Sequence, residues 1–144
     1  MNLGRNVKVT RIKTFQSNAT STVTSDSVDM TGFEGCVFLV AMGEIITSAA
    51  TTCYVRQDTA TGMGGGVQLT GTVITIADSD DDKILLMDVY RPKEQFLDVK
   101  VTRTVQNSEV DSIIAIQYNG RKTPVTHDSS TVASATYVAG PDEV

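Results

Sequence analysis

The chain has 144 residues, a net charge of −5 and 40% hydrophobic residues. This length predicts a single domain whose core needs no disulfide bonds, and the hydrophobic content excludes an intrinsically disordered chain. No apolar run approaches the roughly 20 residues that span a bilayer, and the acidic balance argues against nucleic-acid binding, which needs clustered Lys and Arg, so we expect no membrane and no nucleic-acid partner.

The first third of the chain is predicted to form strands. Residues 7–13 alternate apolar and polar side chains, which favours a half-buried strand. Residues 19–28 are rich in Thr and Ser with a weaker alternation, which indicates an edge strand. Residues 36–42 form a continuous apolar run, and such runs are typical of strands that are covered on both faces.

Strands and turns continue to alternate through the rest of the body. Residues 50–57 again show strand periodicity, the glycine-rich residues 62–66 predict a flexible connection, and residues 67–77 supply one or two short strands around Gly71. The aspartates of residues 78–82 favour a turn. Three further strands are predicted at residues 84–90, 96–104 and 112–118.

About eight strands at regular spacing predict an all-β fold, a single antiparallel β-sandwich or jelly roll. Residues 36–42, 84–90 and 112–118 are predicted to form its core because their apolar runs are continuous. After the last strand the composition becomes small, polar and unpatterned. We therefore predict a body over residues 1–119 and an extended polar C-terminal arm over residues 120–144.

Few groups in the sequence suit catalysis or metal binding. The single histidine, His127, and its neighbour Asp128 lie in the least structured stretch, where a nucleophilic triad would lack a rigid scaffold. Residues 78–82 fail the EF-hand template because positions six and twelve hold Lys83 and Val89 instead of Gly and Glu. A solvated turn is the favoured interpretation there, and a calcium site of another type stays open. We predict no enzyme, no cofactor and no resident metal.

The cysteines and the N-terminus indicate a reducing compartment. Cys36 and Cys53 both lie within predicted strands, and two cysteines do not make a disulfide framework, so we expect reduced, buried thiols. Residues 1–6 contain no apolar h-region, so no secretory signal is expected. Both features are typical of a protein made in the cytoplasm.

Four segments together carry a family resemblance. They are RNVKVTR at residues 5–11, VDMTGFEGCVF at 28–38, DKILLMDVYRP at 82–92 and IIAIQYNGRK at 113–122. Their order resembles small virion proteins of tailed bacteriophages, and among these the capsid cement or decoration proteins, some of which are small jelly rolls. The resemblance implies a structural protein, made in the host cytoplasm, that binds the outside of a capsid and stabilises contacts between major capsid protein subunits. It transfers no site chemistry.

Two other roles stay open. One is a head–tail joining or tail structural protein, and the other is a carbohydrate-binding β-sandwich for host attachment, which would need an exposed aromatic cluster. We also expect a homo-oligomer, a dimer first and a trimer second, because exposed Thr-rich edge strands invite pairing. Contacts with the major capsid protein are predicted on the basic N-terminal strand and on the arm, at Arg5, Lys8, Arg11, Lys13, Arg121, Lys122 and His127.

Overall fold

The computed structural model describes residues 2–140, which form one helical turn, eleven strands and a short 3₁₀ helix. The elements in chain order are α1 (Leu3–Asn6), β1 (Lys8–Lys13), β2 (Gln16–Ala19), β3 (Val23–Thr24), β4 (Val28–Asp29), β5 (Gly35–Ile45), β6 (Ala50–Asp58), β7 (Val67–Gln68), β8 (Ile74–Ile76), the 3₁₀ helix (Asp78–Asp80), β9 (Ile84–Tyr90), β10 (Phe96–Thr104) and β11 (Ser108–Tyr118). Neither helix in this range is long and apolar enough to cross a membrane.

The described strands form two antiparallel sheets that pack face to face, which confirms the predicted all-β sandwich. Sheet A has the order β1-β11-β5-β9, with β2 also beside β11. Sheet B has the order β3-β10-β6-β7, with β4 beside β10 and β8 beside β6. The first and last strands are therefore neighbours, and Val9 lies opposite Ile116.

The hydrophobic core lies between the two sheets. Sheet A contributes Phe38, Val40 and Ile113, and sheet B contributes Val55 and Val99, all with 0% of their surface exposed. Burial of apolar surface stabilises the folded state by about 25 cal/mol per Å². The inward-facing half of each central strand therefore carries most of the stability of the sandwich.

Cys36 of β5 and Cys53 of β6 lie in this core as free thiols, which confirms the prediction for them. Burial raises the pKa of each thiol to about 12, so neither ionises at neutral pH. Cys53 Sγ lies 3.9 Å from Met87 Sδ. Both cysteines act as small packing groups.

Residues 36–42, 84–90 and 112–118 all contribute side chains to the core, as predicted, but the prediction that residues 36–42 are covered on both faces is wrong. Residues 36–42, 84–90 and 112–118 do lie in β5, β9 and β11, but these strands alternate between side chains that face the core and side chains that point away from it. In β9, an edge strand, the odd-numbered residues are buried and the even-numbered residues are exposed. Continuous apolar sequence here marks two apolar faces, of which only one is packed.

Residues 19–28 do not form the single edge strand that was predicted. They are divided among the end of β2, β3 and the start of β4, and the chain crosses from sheet A to sheet B within them. Arg103, which is buried in β10, holds this crossing by donating hydrogen bonds to the carbonyl oxygens of Ser17 and Ser21, at 2.9 and 2.7 Å. The division raises the number of strands above the eight predicted.

The arm that follows β11 contains no helix or strand within the described residues, and it lies against the N-terminal segment. Val125 N donates to Arg5 O at 2.9 Å. His127 Nδ1 accepts a hydrogen bond from Val9 N at 3.3 Å, and its Nε2 lies 3.2 Å from Gly4 O. The imidazole therefore bridges α1 and β1. The last part of the predicted arm, residues 141–144, lies outside the described residues.

Candidate functional site

The outer face of sheet A is largely apolar from β9 to β11. Residues directly opposite one another on paired strands share a face, so the outward side chains form rows across the sheet. The rows are Ile84-Ala41-Ser112, Leu86-Leu39-Ile114-Arg11 and Asp88-Val37-Ile116-Val9. We call this surface the outer face of sheet A.

Exposure on this face is greatest at the edge strand. Ile84 and Leu86 of β9 are 65% and 62% exposed. Leu39 and Ile114, on the central strands, are half-buried because neighbours shield them on both sides. Contiguous exposed apolar surface is uncommon on monomeric proteins and marks sites of interaction.

A groove of about 500 Å³ extends the outer face of sheet A toward the N-terminus. Its walls include Leu3 and Val7 on one side and Val37, Ile116 and Tyr118 of the sheet on the other. Leu3 is itself 58% exposed. The helical turn α1 therefore adds to the apolar surface without covering it.

The outer face of sheet B is polar. Thr52 lies opposite Thr102, and Tyr54 lies opposite Lys100. The next pair along is an ion pair, in which Arg56 Nε donates to Asp98 Oδ1 at 3.0 Å. The polar groups of this face contact solvent or one another. Because the outer face of sheet B is polar and that of sheet A is largely apolar, the outer face of sheet A is the candidate site.

Two tyrosines meet at one end of the outer face of sheet A. Tyr90 of β9 and Tyr118 of β11 lie on either side of Gly35 of β5, in one row. The Tyr118 ring lies over Gly35, where an added Cβ would overlap Tyr118 Cζ. Its hydroxyl donates to Asp88 Oδ1 at 2.7 Å, and the Tyr90 hydroxyl donates to Glu34 Oε2 at 3.3 Å. Glycine at position 35 allows this crossing because any side chain there would displace the ring.

The charges around these tyrosines are paired. Burial, and after it the hydrogen bond to Asp88, raises the pKa of Tyr118, so its hydroxyl remains a donor at neutral pH. The Arg91 guanidinium lies 5.0 Å from the centre of the Tyr90 ring and 3.8 Å from Glu34. Sequence reasoning missed this cluster because the tyrosines are far apart in the chain. A usable signal was that each ends a strand with the same outward alternation.

The predicted partner-contact residues do not form one patch. Arg5 and His127 lie where the arm crosses α1, and both ring nitrogens of His127 are engaged within the chain. Arg11 is exposed on β1 opposite Ile114, at the border of the outer face of sheet A. The others are Lys8 and Lys13, half-buried on β1, and Arg121 and Lys122, exposed at the start of the arm. Their role in a partner contact stays a prediction.

The acidic loop uses its carboxylates to hold the backbone. Asp78 Oδ2 accepts from Ser48 N at 2.6 Å, and Asp81 Oδ1 accepts from Ile45 N at 2.7 Å. These side chains turn toward different backbone donors, so they do not converge on a common centre. Among residues 2–140, no three His, Cys, Asp or Glu side chains are grouped as metal ligands would be.

Comparisons with known proteins identify no family for this chain. No family model matches this chain, and no curated protein matches it either. Among solved structures it is similar to dimeric latent PorU from Porphyromonas gingivalis, with 8% sequence identity and a TM-score of 0.44. The match covers 80% of this chain and 13% of PorU. A likeness at this level carries no argument about function.

Proposed function

We propose that this chain is a structural protein that attaches to a larger protein assembly through the outer face of sheet A. In its specific form, the assembly is the capsid of a tailed phage, and the chain is a cement protein that sits on the capsid surface and stabilises contacts between major capsid protein subunits. The apolar rows of sheet A support the general proposal. The four-segment sequence resemblance supports the specific one.

The outer face of sheet A offers enough surface for a useful contact. Full burial of one exposed Leu or Ile side chain contributes about 1.5–3 kcal/mol, and Ile84 and Leu86 are each more than half exposed. Part of this gain is offset by the loss of translational and rotational freedom on binding. A modest affinity per copy is sufficient on a capsid, because a shell presents many equivalent sites.

The border of this face is charged, as expected for an interface with an apolar centre and a polar rim. Arg11 lies at the β1 side and Asp88 at the β9 side. The arm adds exposed Arg121 and Lys122 at the end of the body. A partner that spans the sheet would therefore meet apolar side chains in the middle and both signs of charge at the margins.

Co-sedimentation with capsid shells tests the proposal. The shells are those formed by the proposed partner, the major capsid protein, and the variants are Ile116→Lys on sheet A and Thr102→Lys on sheet B. Wild type and Thr102→Lys should pellet with shells, and Ile116→Lys should not, because a charge in the apolar centre cannot be buried without a partner. Failure of the wild type to bind, or equal binding by Ile116→Lys, would contradict the proposal.

The tyrosine cluster favours a second candidate, carbohydrate binding. Tyr90 is 53% exposed and lies beside Asp88, Glu34 and Arg91, so it combines an aromatic surface with polar partners. A glycan array probed with wild type and Tyr90→Phe and Tyr90→Ala variants tests this. Binding that survives the Phe variant and is lost in the Ala variant would support it, and an array without signal would remove it.

A further inference from the structure

Among residues 2–140, three of the four sheet edges are protected against pairing with another chain. Both edges of sheet B consist of strands of two or three residues, namely β3, β4, β7 and β8, and short edge strands resist pairing. The β1 edge of sheet A has a register shift between Arg11 and Lys13. The arm also lies on this edge, where His127 Nδ1 accepts a hydrogen bond from Val9 N.

The fourth edge, β9, has no such protection. It is a strand of seven residues in unbroken register with β5, and its sequence contains no Pro, Lys or Gly. Gly71, Thr72 and Ile74 of sheet B flank the middle of β9 across a small groove of about 160 Å³, and none of their described backbone groups bonds to it. A strand of this length spans about 24 Å, so the open edge is long enough to receive another strand.

The backbone of β9 is half unpaired. Lys83 O accepts from Met42 N at 2.9 Å, and Arg91 N donates to Glu34 O at 2.7 Å. Because hydrogen-bonded pairs alternate along an antiparallel ladder, the odd-numbered residues of β9 bond to β5. Within the described part of the chain, nothing bonds to the outward N–H and C=O groups of the even-numbered residues, Ile84, Leu86, Asp88 and Tyr90.

The two flanks of β9 differ in charge, which favours a second copy of this chain as the partner. Residues 78–82 precede the strand and hold four aspartates, and Lys83 pairs with Asp80 at 3.0 Å. The flank that follows the strand holds Arg91 and Lys93 together with Glu94, and Arg91 lies 3.8 Å from Glu34. Antiparallel pairing of two β9 strands sets each acidic flank beside the Arg91 and Lys93 of the other copy, whereas parallel pairing would set the two acidic flanks together.

We propose that two copies of this chain pair β9 with β9 about a two-fold axis at Met87, which joins their A sheets into one. This register sets Ile84 opposite Tyr90 of the second copy, a favourable pair of β-branched and aromatic side chains, and Leu86 opposite Asp88. If the two-fold axis moved from Met87 to Asp88, the two Asp88 side chains would lie opposite each other. If it moved to Leu86 instead, Tyr90 would lie outside the strand pairing. The pairing does not depend on capsid binding.

Sedimentation velocity of the purified full chain tests this pairing without any capsid. The wild type should show a reversible monomer–dimer equilibrium. Leu86→Lys places a charge on the open edge, so it should weaken dimerisation at least about tenfold. Val105→Lys, at a turn position that is 72% exposed, is the matched control and should leave the equilibrium unchanged. Circular dichroism verifies that each variant is folded.

A second set of variants tests the flanking charges. Arg91 and Asp82 have φ angles of 52° and 57°, which asparagine tolerates, so Arg91→Asn and Asp82→Asn remove the charges with little backbone strain. Each should weaken the dimer about twofold to fivefold, and the double variant should be no weaker than either alone, since the two side chains share one contact. A chain that stays monomeric at every concentration, forms a trimer, or dimerises equally well as Leu86→Lys overturns the proposal.

Discussion

Sheet B turns Thr52, Tyr54 and Lys100 toward solvent, whereas sheet A turns Leu39 and Ile114 outward. Water forms hydrogen bonds with the first set, whereas the contact of water with the second set is unfavourable and is relieved by burial. Both sheets share one core, so the stability of the sandwich does not require an apolar outer face on sheet A. The difference teaches that an amphipathic sheet is sufficient for this fold, and the second apolar face is the surface through which we propose contact with another molecule.

The largest effect on stability is expected from substitutions that compare the inner and outer faces of sheet A. Phe38 is 0% exposed, so Phe38→Ala should lower the free energy of unfolding by about 3–5 kcal/mol through the cavity it leaves. Ile114→Ala, on the outer face, should lower it by only about 1 kcal/mol. Urea unfolding measures both. Equal losses would mean that the outer face of sheet A is packed within the monomer, and the comparison between the two sheets would fail.

A somewhat smaller effect is expected on the outer face of sheet B. Arg56→Met should lower the free energy of unfolding by about 3 kcal/mol, because it leaves the buried Asp98 carboxylate, whose side chain is 1% exposed, without its partner. Lys100→Met, on the same face and outside the ion pair, is the control and should change it by less than about 0.5 kcal/mol. If thermal and urea unfolding show the two variants to be alike, the ion pair adds nothing to this face.

A single methyl group added at position 35 should destabilise the end of sheet A that holds the two tyrosines. Gly35→Ala should lower the free energy of unfolding by about 1–3 kcal/mol, because the new Cβ occupies the place of the Tyr118 ring. Loss of the Tyr118–Asp88 hydrogen bond should also lower the pKa of Tyr118, which ultraviolet titration measures. Gly64→Ala is the matched control, since an added Cβ there meets nothing within 4 Å. An unchanged tyrosine titration would show that the ring can lie elsewhere at no cost.

The smallest effect on stability is expected at acidic pH, in the loop that follows β6. Hydrogen bonds from Ala60 N and Gly65 N, at 3.2 and 2.8 Å, lower the pKa of the Asp58 carboxyl below its ordinary value of 3.8. The resulting stabilisation is present above pH 3.8 and is lost as the pH falls through the lower, folded-state pKa. Asp58→Asn should therefore flatten the acid dependence of hydrogen exchange at residues 59–66. Identical pH profiles for the two chains would show that the carboxylate does not order this loop.

The strand positions could be predicted because alternation is a local property. Strands at residues 84–90 and 96–104 occur where their patterns placed them. Periodicity does not show which side of a strand has a neighbour, so the apolar run of residues 36–42 was predicted to be covered on both faces, although only the inner face of β5 is packed. The segment over residues 19–28 failed for a related reason, since its division depends on the distant Arg103.

The candidate site was harder to predict than the fold. The basic residues proposed as contacts are visible one at a time, whereas the outer face of sheet A exists only because β11, β5 and β9 are neighbours. That arrangement is a matter of long-range pairing and register, which a single sequence does not specify. The phage resemblance and the capsid partner stay predictions.

The position of β11 in sheet A has a consequence for biosynthesis. The last strand in the chain lies between β1 and β5, so these earlier strands lack their shared neighbour until residues 108–118 have left the ribosome. Pairing between segments so far apart in sequence is slow, since a large loop must close first. The apolar strands stay exposed to other nascent chains during that interval. Sheet A is therefore completed only once residues 108–118 are available, and we expect the yield of folded protein to depend on synthesis rate and on chaperones.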